Sequence, residues 1–110
     1  MDYTKIYETE IDGFLIRFET TPEDMHPNEH FDQDFDDIDK ICRDIEAGRL
    51  AWFVAKVSAH KSGIELSADY LGACLYQNPM QFVRDNDYFY DMCEHVVAEA
   101  KTVIQQLTEA

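Results

Sequence analysis

Basic residues are scarce in this chain. Nine Lys and Arg stand against 23 Asp and Glu, a formal net charge of −14 over 110 residues. That imbalance argues against a direct grip on nucleic acid and against anchoring on an anionic membrane. Long apolar runs are missing as well, and no stretch approaches the ~18 apolar residues of a membrane span. The first ten residues, MDYTKIYETE, carry neither the basic nor the apolar segment of a secretory signal. The four glycines are scattered and form no phosphate-cradling loop, so no nucleotide or other cofactor is expected. The three cysteines, Cys42, Cys74 and Cys93, are odd in number and far apart. They read as buried, reduced thiols, and the expected setting is the cytoplasm.

What is present is enough for one folded unit. At 45% hydrophobic and 13% aromatic the chain can bury a core, which excludes disorder despite the charge. Its length fits a single α+β domain, residues 1–110. Asp12-Gly13 is a hairpin turn between a strand at residues 5–11 and the alternating run Phe14, Ile16, Phe18. Residues 20–33 show no periodicity and contain Pro22 and Pro27, so a long connection is expected there. A helix over residues 34–47 places Phe35, Ile38, Ile41, Cys42 and Ile45 in one stripe, read as core, with Gly48 closing it. Residues 50–59 read as an inner strand and His60 to Gly63 as a turn. Residues 64–76 return, with a bend expected at Ser67-Ala68-Asp69. Asn78-Pro79-Met80-Gln81 is a helix start. A final helix over residues 88–107 directs Phe89, Met92, Cys93, Val96, Ala100, Val103, Ile104 and Leu107 to one face. The expected order is β-β-α-β-β-α, with the second helical region split by a break at Asp85-Asn86-Asp87, an antiparallel sheet of about four strands with helices packed on one face.

The stretch Glu23 to Asp39 concentrates the charge. It holds eight carboxylates in seventeen residues and no Lys or Arg. Like charges this dense are kept at low cost only on a solvated face. Two readings compete. Asp34, Asp36 and Asp37 fall where a helix begins, and carboxylates are stabilising there. Spacings of four would pair Asp36 with Lys40, Asp39 with Arg43 and Lys40 with Asp44. The alternative is a recognition surface for a strongly basic partner, built from Glu23, Asp24, Glu29, Asp32, Asp34, Asp36 and Asp37. Glu8 and Glu10 on the first strand would supply a second acidic edge.

Other chemistry is weakly supported. Asp32, Asp34 and Asp36 imitate a calcium loop, but Asp37 stands at the position that needs Gly and Arg43 at the one that needs Glu. His26, Glu29 and His30 lack the H-E-x-x-H order, and Pro27 disfavours the helix that would align them, so no metal is expected. Cys93 and His95 lie on different helix faces. Tyr88, Phe89 and Tyr90 are flanked by Asp85, Asp87 and Asp91, which would repel a phosphate backbone. An enzyme with an acid site around Asp69 and Asp87 is the weakest reading.

The run GIELSADYLGACLY, Gly63 to Tyr76, followed by Phe82 and by DYFYDM, Asp87 to Met92, resembles a pattern in small proteins of phages and plasmids. In size, charge and α+β pattern the chain also resembles anti-CRISPR and antirestriction proteins. That second resemblance implies an inhibitor from a mobile element that presents carboxylates in place of DNA phosphates. Its partner would be a basic surface of a CRISPR-Cas or restriction complex in the host bacterial cytoplasm. The competing expectation is a small phage or plasmid interaction module whose acidity serves solubility alone.

Overall fold

The computed structural model describes residues 2–32, 37–85 and 87–109. Strands β1 (Thr4–Ile11), β2 (Phe14–Pro22), β3 (Ala51–Lys61) and β4 (Ile64–Tyr76) form one antiparallel meander in that spatial order. A 3-10 turn, Pro27–Glu29, and helix α1, Ile38–Glu46, lie between β2 and β3. Helices α2 (Pro79–Arg84) and α3 (Asp87–Glu109) follow β4. The fold is therefore α+β, a four-stranded antiparallel sheet with helices packed against it. The order departs from β-β-α-β-β-α in the 3-10 turn that precedes the first helix; the helical region after the last strand is split in two. Asp85, outside helical geometry at φ −116 and ψ 14, separates those two helices.

Both hairpins close through the same turn. Asp12 and Gly13 have φ of +54 and +85, and Ser62 and Gly63 have φ of +54 and +78. These are type I′ turns, whose twist matches that of the flanking strands. The second turn comes later than expected, because His60 and Lys61 still pair with Glu65 and Ile64. β2 also outruns its expected end at Glu19. Thr20 and Thr21 continue the ladder opposite Ala55 and Val54, as β-branched residues do readily.

The core lies between the sheet and α2 and α3. Phe14, Ile16 and Phe18 of β2 and Phe53, Ala55, Val57 and Ala59 of β3 share the covered face and are buried. Phe18 stacks on Phe82 of α2 at 5.2 Å and meets the edge of Phe89 of α3 at 5.9 Å. The Asn78 side chain accepts the Gln81 N–H at 3.1 Å and starts α2, while Gln81 Oε1 reaches back to the Gln77 N–H at 2.8 Å. Along α3, Phe89, Met92, Cys93, Val96, Val97 and Ala100 are buried. Val103 and Ile104 are half-buried, and Leu107 is 69% exposed, because the 23-residue helix outruns the sheet.

The long β4 is irregular at two points, neither of them the expected Ser67-Ala68-Asp69. Ala59 and His60 pair with Ser67 and Glu65, which leaves Leu66 as an extra residue. The bulge puts Leu66 against the core, and the neighbouring Ser67 hydroxyl donates to the Val96 carbonyl at 2.6 Å. The second irregularity falls at Gly72-Ala73, between the pairs Ala55–Leu71 and Phe53–Cys74. There Ala73 adopts φ +55.

Helix α1 is the main departure. It begins at Ile38 rather than Asp34, and none of its residues is buried. Ile38, Ile41, Cys42 and Ile45 are half-buried, and the helix packs on the 3-10 turn rather than on the core. Among the described residues this nine-residue helix faces the three-residue turn, which is too little to cover its stripe. Phe35, expected in the same stripe, lies outside the described residues. The molecule measures 54 × 26 × 22 Å with a radius of gyration of 16.2 Å. A compact chain of this length would have a radius of about 13 Å.

Candidate acidic interface

Residues 23–32 and 37–50 form an arm at the end of the sheet where β2 finishes and β3 starts. Trp52 anchors its base: the Glu23 N–H donates to the Trp52 carbonyl at 3.2 Å, and Trp52 Nε1–H donates to the Met25 carbonyl at 2.7 Å. The Glu23 carboxylate holds the second fixed point. One oxygen accepts the Met25 N–H at 3.2 Å and the other accepts the Ala73 N–H at 2.8 Å. Ala73 sits at the β4 irregularity, so its N–H has left the ladder and Glu23 supplies the missing acceptor. Gly72 makes the approach possible. A Cβ there would stand 3.1 Å from Glu23 Oε2, tighter than nearly all real contacts.

Beyond the anchor the arm is held by its own caps. His26 Nδ1 accepts the Asn28 N–H at 3.1 Å, with Pro27 buried at the first position of the 3-10 turn. Phe31 packs against Trp52 at 5.8 Å between ring centres. His30 and Phe31 also line a cleft of about 360 Å3 against Leu71–Tyr76. Asp37 caps α1 by accepting the Lys40 N–H at 3.0 Å. At the far end Asp44 pairs with Arg49 at 2.8 Å and with Lys40 at 3.6 Å. The Arg49 hydrogen bond, then the charges of Arg49 and Lys40, hold the Asp44 carboxyl below its ordinary range.

The nine carboxylates expected to form a recognition surface therefore divide. Glu23 and Asp37 are occupied by backbone N–H groups. Glu8 is paired with Arg17 at 2.8 Å and Lys5 at 3.4 Å on the open face of the sheet, and the Arg17 hydrogen bond lowers its pKa. Asp24, Glu29 and Asp32 are exposed on the arm, and Glu10 is exposed on β1. Asp34 and Asp36 lie outside the described residues, and so does the expected pair Asp36–Lys40. The register puts Glu8 and Glu10 toward the Asp12-Gly13 end of β1–β2 and the arm at the other end, so the two acidic regions are not one patch.

His26 and Cys42 approach within 3.9 Å, through Nε2 and Sγ. With Nδ1 already accepting a hydrogen bond, the neutral ring carries its proton on Nε2 and donates to the sulfur. It cannot then take a proton from that thiol, and the contact ties α1 to the 3-10 turn. Burial pushes the Cys74 and Cys93 thiols up to about 11, which leaves them protonated at neutral pH. Asp69 accepts the N–H of the adjacent Tyr70 at 3.0 Å. The Asp87 side chain lies outside the described residues. Among the described residues no three His, Cys, Asp or Glu are grouped as metal ligands, and no helix is long and apolar enough to cross a membrane.

The sequence reading missed a polar network on the open sheet face. Lys56, Ser58 and His60 alternate along β3 toward this face. The Ser58 hydroxyl and His60 Nε2 are 2.8 Å apart and both residues are buried. Lys56 bonds Glu65 at 3.0 Å and lies 5.5 and 5.9 Å from the ring centres of Tyr3 and Tyr70. Tyr3 thus reaches across the sheet from the β1 side to the β4 side. Burial, then the Arg17 charge, lowers the His60 pKa. The period-2 polar row of Lys56, Ser58 and His60 is visible in the sequence, within the run that reads as an inner strand. Among the described residues no buried side-chain polar atom lacks a partner, and this network covers part of the open side of the sheet.

Compared with protein-family models, curated proteins and solved structures, the chain matches none.

Proposed function

We propose that the chain is an acidic inhibitor protein that docks through its arm on a basic, nucleic-acid-binding surface of a bacterial defence complex. One observation carries the reading. The arm is fixed at its base by Glu23 and Trp52, yet it leaves Asp24, Glu29 and Asp32 exposed and the α1 stripe half-buried. Exposed acid beside an incompletely covered apolar stripe suits a protein partner, whose core contacts are apolar and whose rim is charged. It suits solubility less, because solubility asks for no half-exposed isoleucines. The net charge of −14 would speed encounter with a basic partner. The resemblance in size, charge and fold class to anti-CRISPR and antirestriction proteins supports the defence complex as partner, and the role is one of binding rather than catalysis.

A second reading has its own observation. Asp37, Glu23 and Glu8 are spent on backbone or ion-pair bonds within the chain. On that reading the protein is a phage or plasmid interaction module and the remaining acid only keeps it soluble. Affinity capture from a bacterium carrying CRISPR and restriction systems separates the two. The inhibitor reading expects a nuclease or surveillance complex on the bait, released by rising sodium chloride. Capture that is unaffected by salt, or that brings down no nucleic-acid-binding protein, supports the module.

A further inference from the structure

The outer edge of β1 is open. Among the described residues no strand pairs with it. The two-residue turn at Asp12-Gly13 makes Ile11 and Phe14 the hydrogen-bonded pair that closes the hairpin. Bonded pairs alternate along an antiparallel ladder, so Thr9–Ile16 and Tyr7–Phe18 are also bonded. The backbone groups of Glu8 and Glu10 therefore point away from β2, ready to pair with a further strand.

Beside this edge lies a groove of about 450 Å3. Helix α3 packs over β3 and β4 and sets Phe89 against Tyr7 of β1, and α2 also touches β1, so the open part of this margin lies beside Ile11. Ile11, Cys93 and Val97 form the groove's apolar lining, with Tyr90 and Ala98 from the exposed side of α3. The Asp12–Lys101 ion pair, at 2.8 Å, bridges the turn and the helix at one end. Glu94 stands on the helix wall, exposed and in no ion pair among the described residues; the same holds for Glu10 on the strand.

We propose that this edge and groove form a docking site for an extended peptide segment of a partner protein, alternating apolar and basic residues, added to the sheet as a fifth strand. Alternation follows from the pleat. Peptide residues opposite Tyr7, Thr9 and Ile11 direct their side chains to the covered side, and the one opposite Ile11 meets the groove's apolar lining. Those opposite Glu8 and Glu10 face the open side, where a Lys or Arg opposite Glu10 meets a carboxylate, while Glu8 already holds Arg17 and Lys5. The bulge at Ile6 ends the regular edge, so the peptide strand spans Tyr7 to Ile11. The site is separate from the arm, which leaves from the other end of β2.

The test uses the full chain and a labelled nine-residue peptide alternating valine and lysine, with a peptide of the same composition in which the lysines are contiguous. Hydrogen exchange by NMR reads the edge, and fluorescence anisotropy reads affinity. We expect the alternating peptide to slow exchange of the Glu8 and Glu10 amides at least tenfold. Ala98→Trp fills the groove from an exposed helix position and should weaken binding at least tenfold with the circular dichroism spectrum unchanged. Glu10→Gln with Glu94→Gln should weaken it as well. The inference is overturned by any of four results: no binding at millimolar peptide, binding that leaves the Glu8 and Glu10 amides unprotected, equal affinity for the contiguous peptide, or an Ala98→Trp variant that binds like the parent. Protection that grows with protein concentration in the absence of peptide would identify a second copy as the occupant and overturn it too.

Discussion

The Glu23 carboxylate accepts the Ala73 N–H at 2.8 Å, a bond that joins positions 50 residues apart in the chain. It converts the most acidic segment of the sequence into an arm with a fixed base. It also removes Glu23 from any surface offered to a partner. Glu23→Ala should therefore cost about 1–3 kcal/mol in urea denaturation, because it strands a part-buried N–H. Its neighbour Asp24 is exposed, and Asp24→Asn should stay within about 0.5 kcal/mol of the parent. Equal stability of the two variants would show that the bond does not hold the arm.

Gly72→Ala tests the same contact from the other side. The added methyl meets the Glu23 carboxylate at 3.1 Å. The expected loss is about 1 kcal/mol in the parent and close to zero when Glu23 is already Ala. Additive losses in that double-mutant cycle would mean that the glycine serves something other than Glu23.

The two helical faces should respond differently to truncation. Val96 is fully buried on α3, whereas Ile41 on α1 is half-buried. Removing the Ile41 side chain to Ala should cost less than about 1.5 kcal/mol, below the ~2–5 kcal/mol of a buried isoleucine. Denaturant titration of Ile41→Ala reads this directly. A loss above about 2 kcal/mol would place α1 in the cooperative core.

The hairpins, the final helix and the acidic segment were legible because each is local. Asp12-Gly13 dictates its turn, and α3 follows one 3.6-residue stripe. Beyond shifted element ends at Glu19, Asp34 and His60, the failures were long-range. The helical stripe at Ile38, Ile41 and Ile45 reads the same whether or not anything covers it. The position of the β4 irregularities depends on which residue of β3 each one faces. Glu23 and Asp37 look like any other acid of the stretch, and only the folded chain shows that a backbone N–H occupies each.

His60 gives the molecule a defined pH response. Its pKa is lowered in the folded state by burial and then by the Arg17 charge, so between the folded value and the ordinary value of 6.5 the unfolded chain holds more protons. Stability then rises with pH in that window. The contribution is intact above about 6.5 and is lost as pH falls toward the folded pKa. The melting temperature should drop between pH 7 and pH 5, and His60→Gln should show a smaller drop. Parallel curves for parent and variant would assign the effect to other groups.

The arm itself is best tested on the captured complex. The triple variant Asp24→Asn, Glu29→Gln, Asp32→Asn removes exposed charge and leaves the Glu23 and Asp37 bonds in place. The measurement is its affinity for that complex, relative to the parent, over a sodium chloride titration with the guide- or DNA-binding channel empty and then filled. The account predicts at least tenfold weaker binding for the variant, a shallower salt dependence, and exclusion of the parent once nucleic acid fills the channel. A folded variant that binds as tightly as the parent, with the same salt slope, would contradict it and leave the exposed acid of the arm as solvated surface charge.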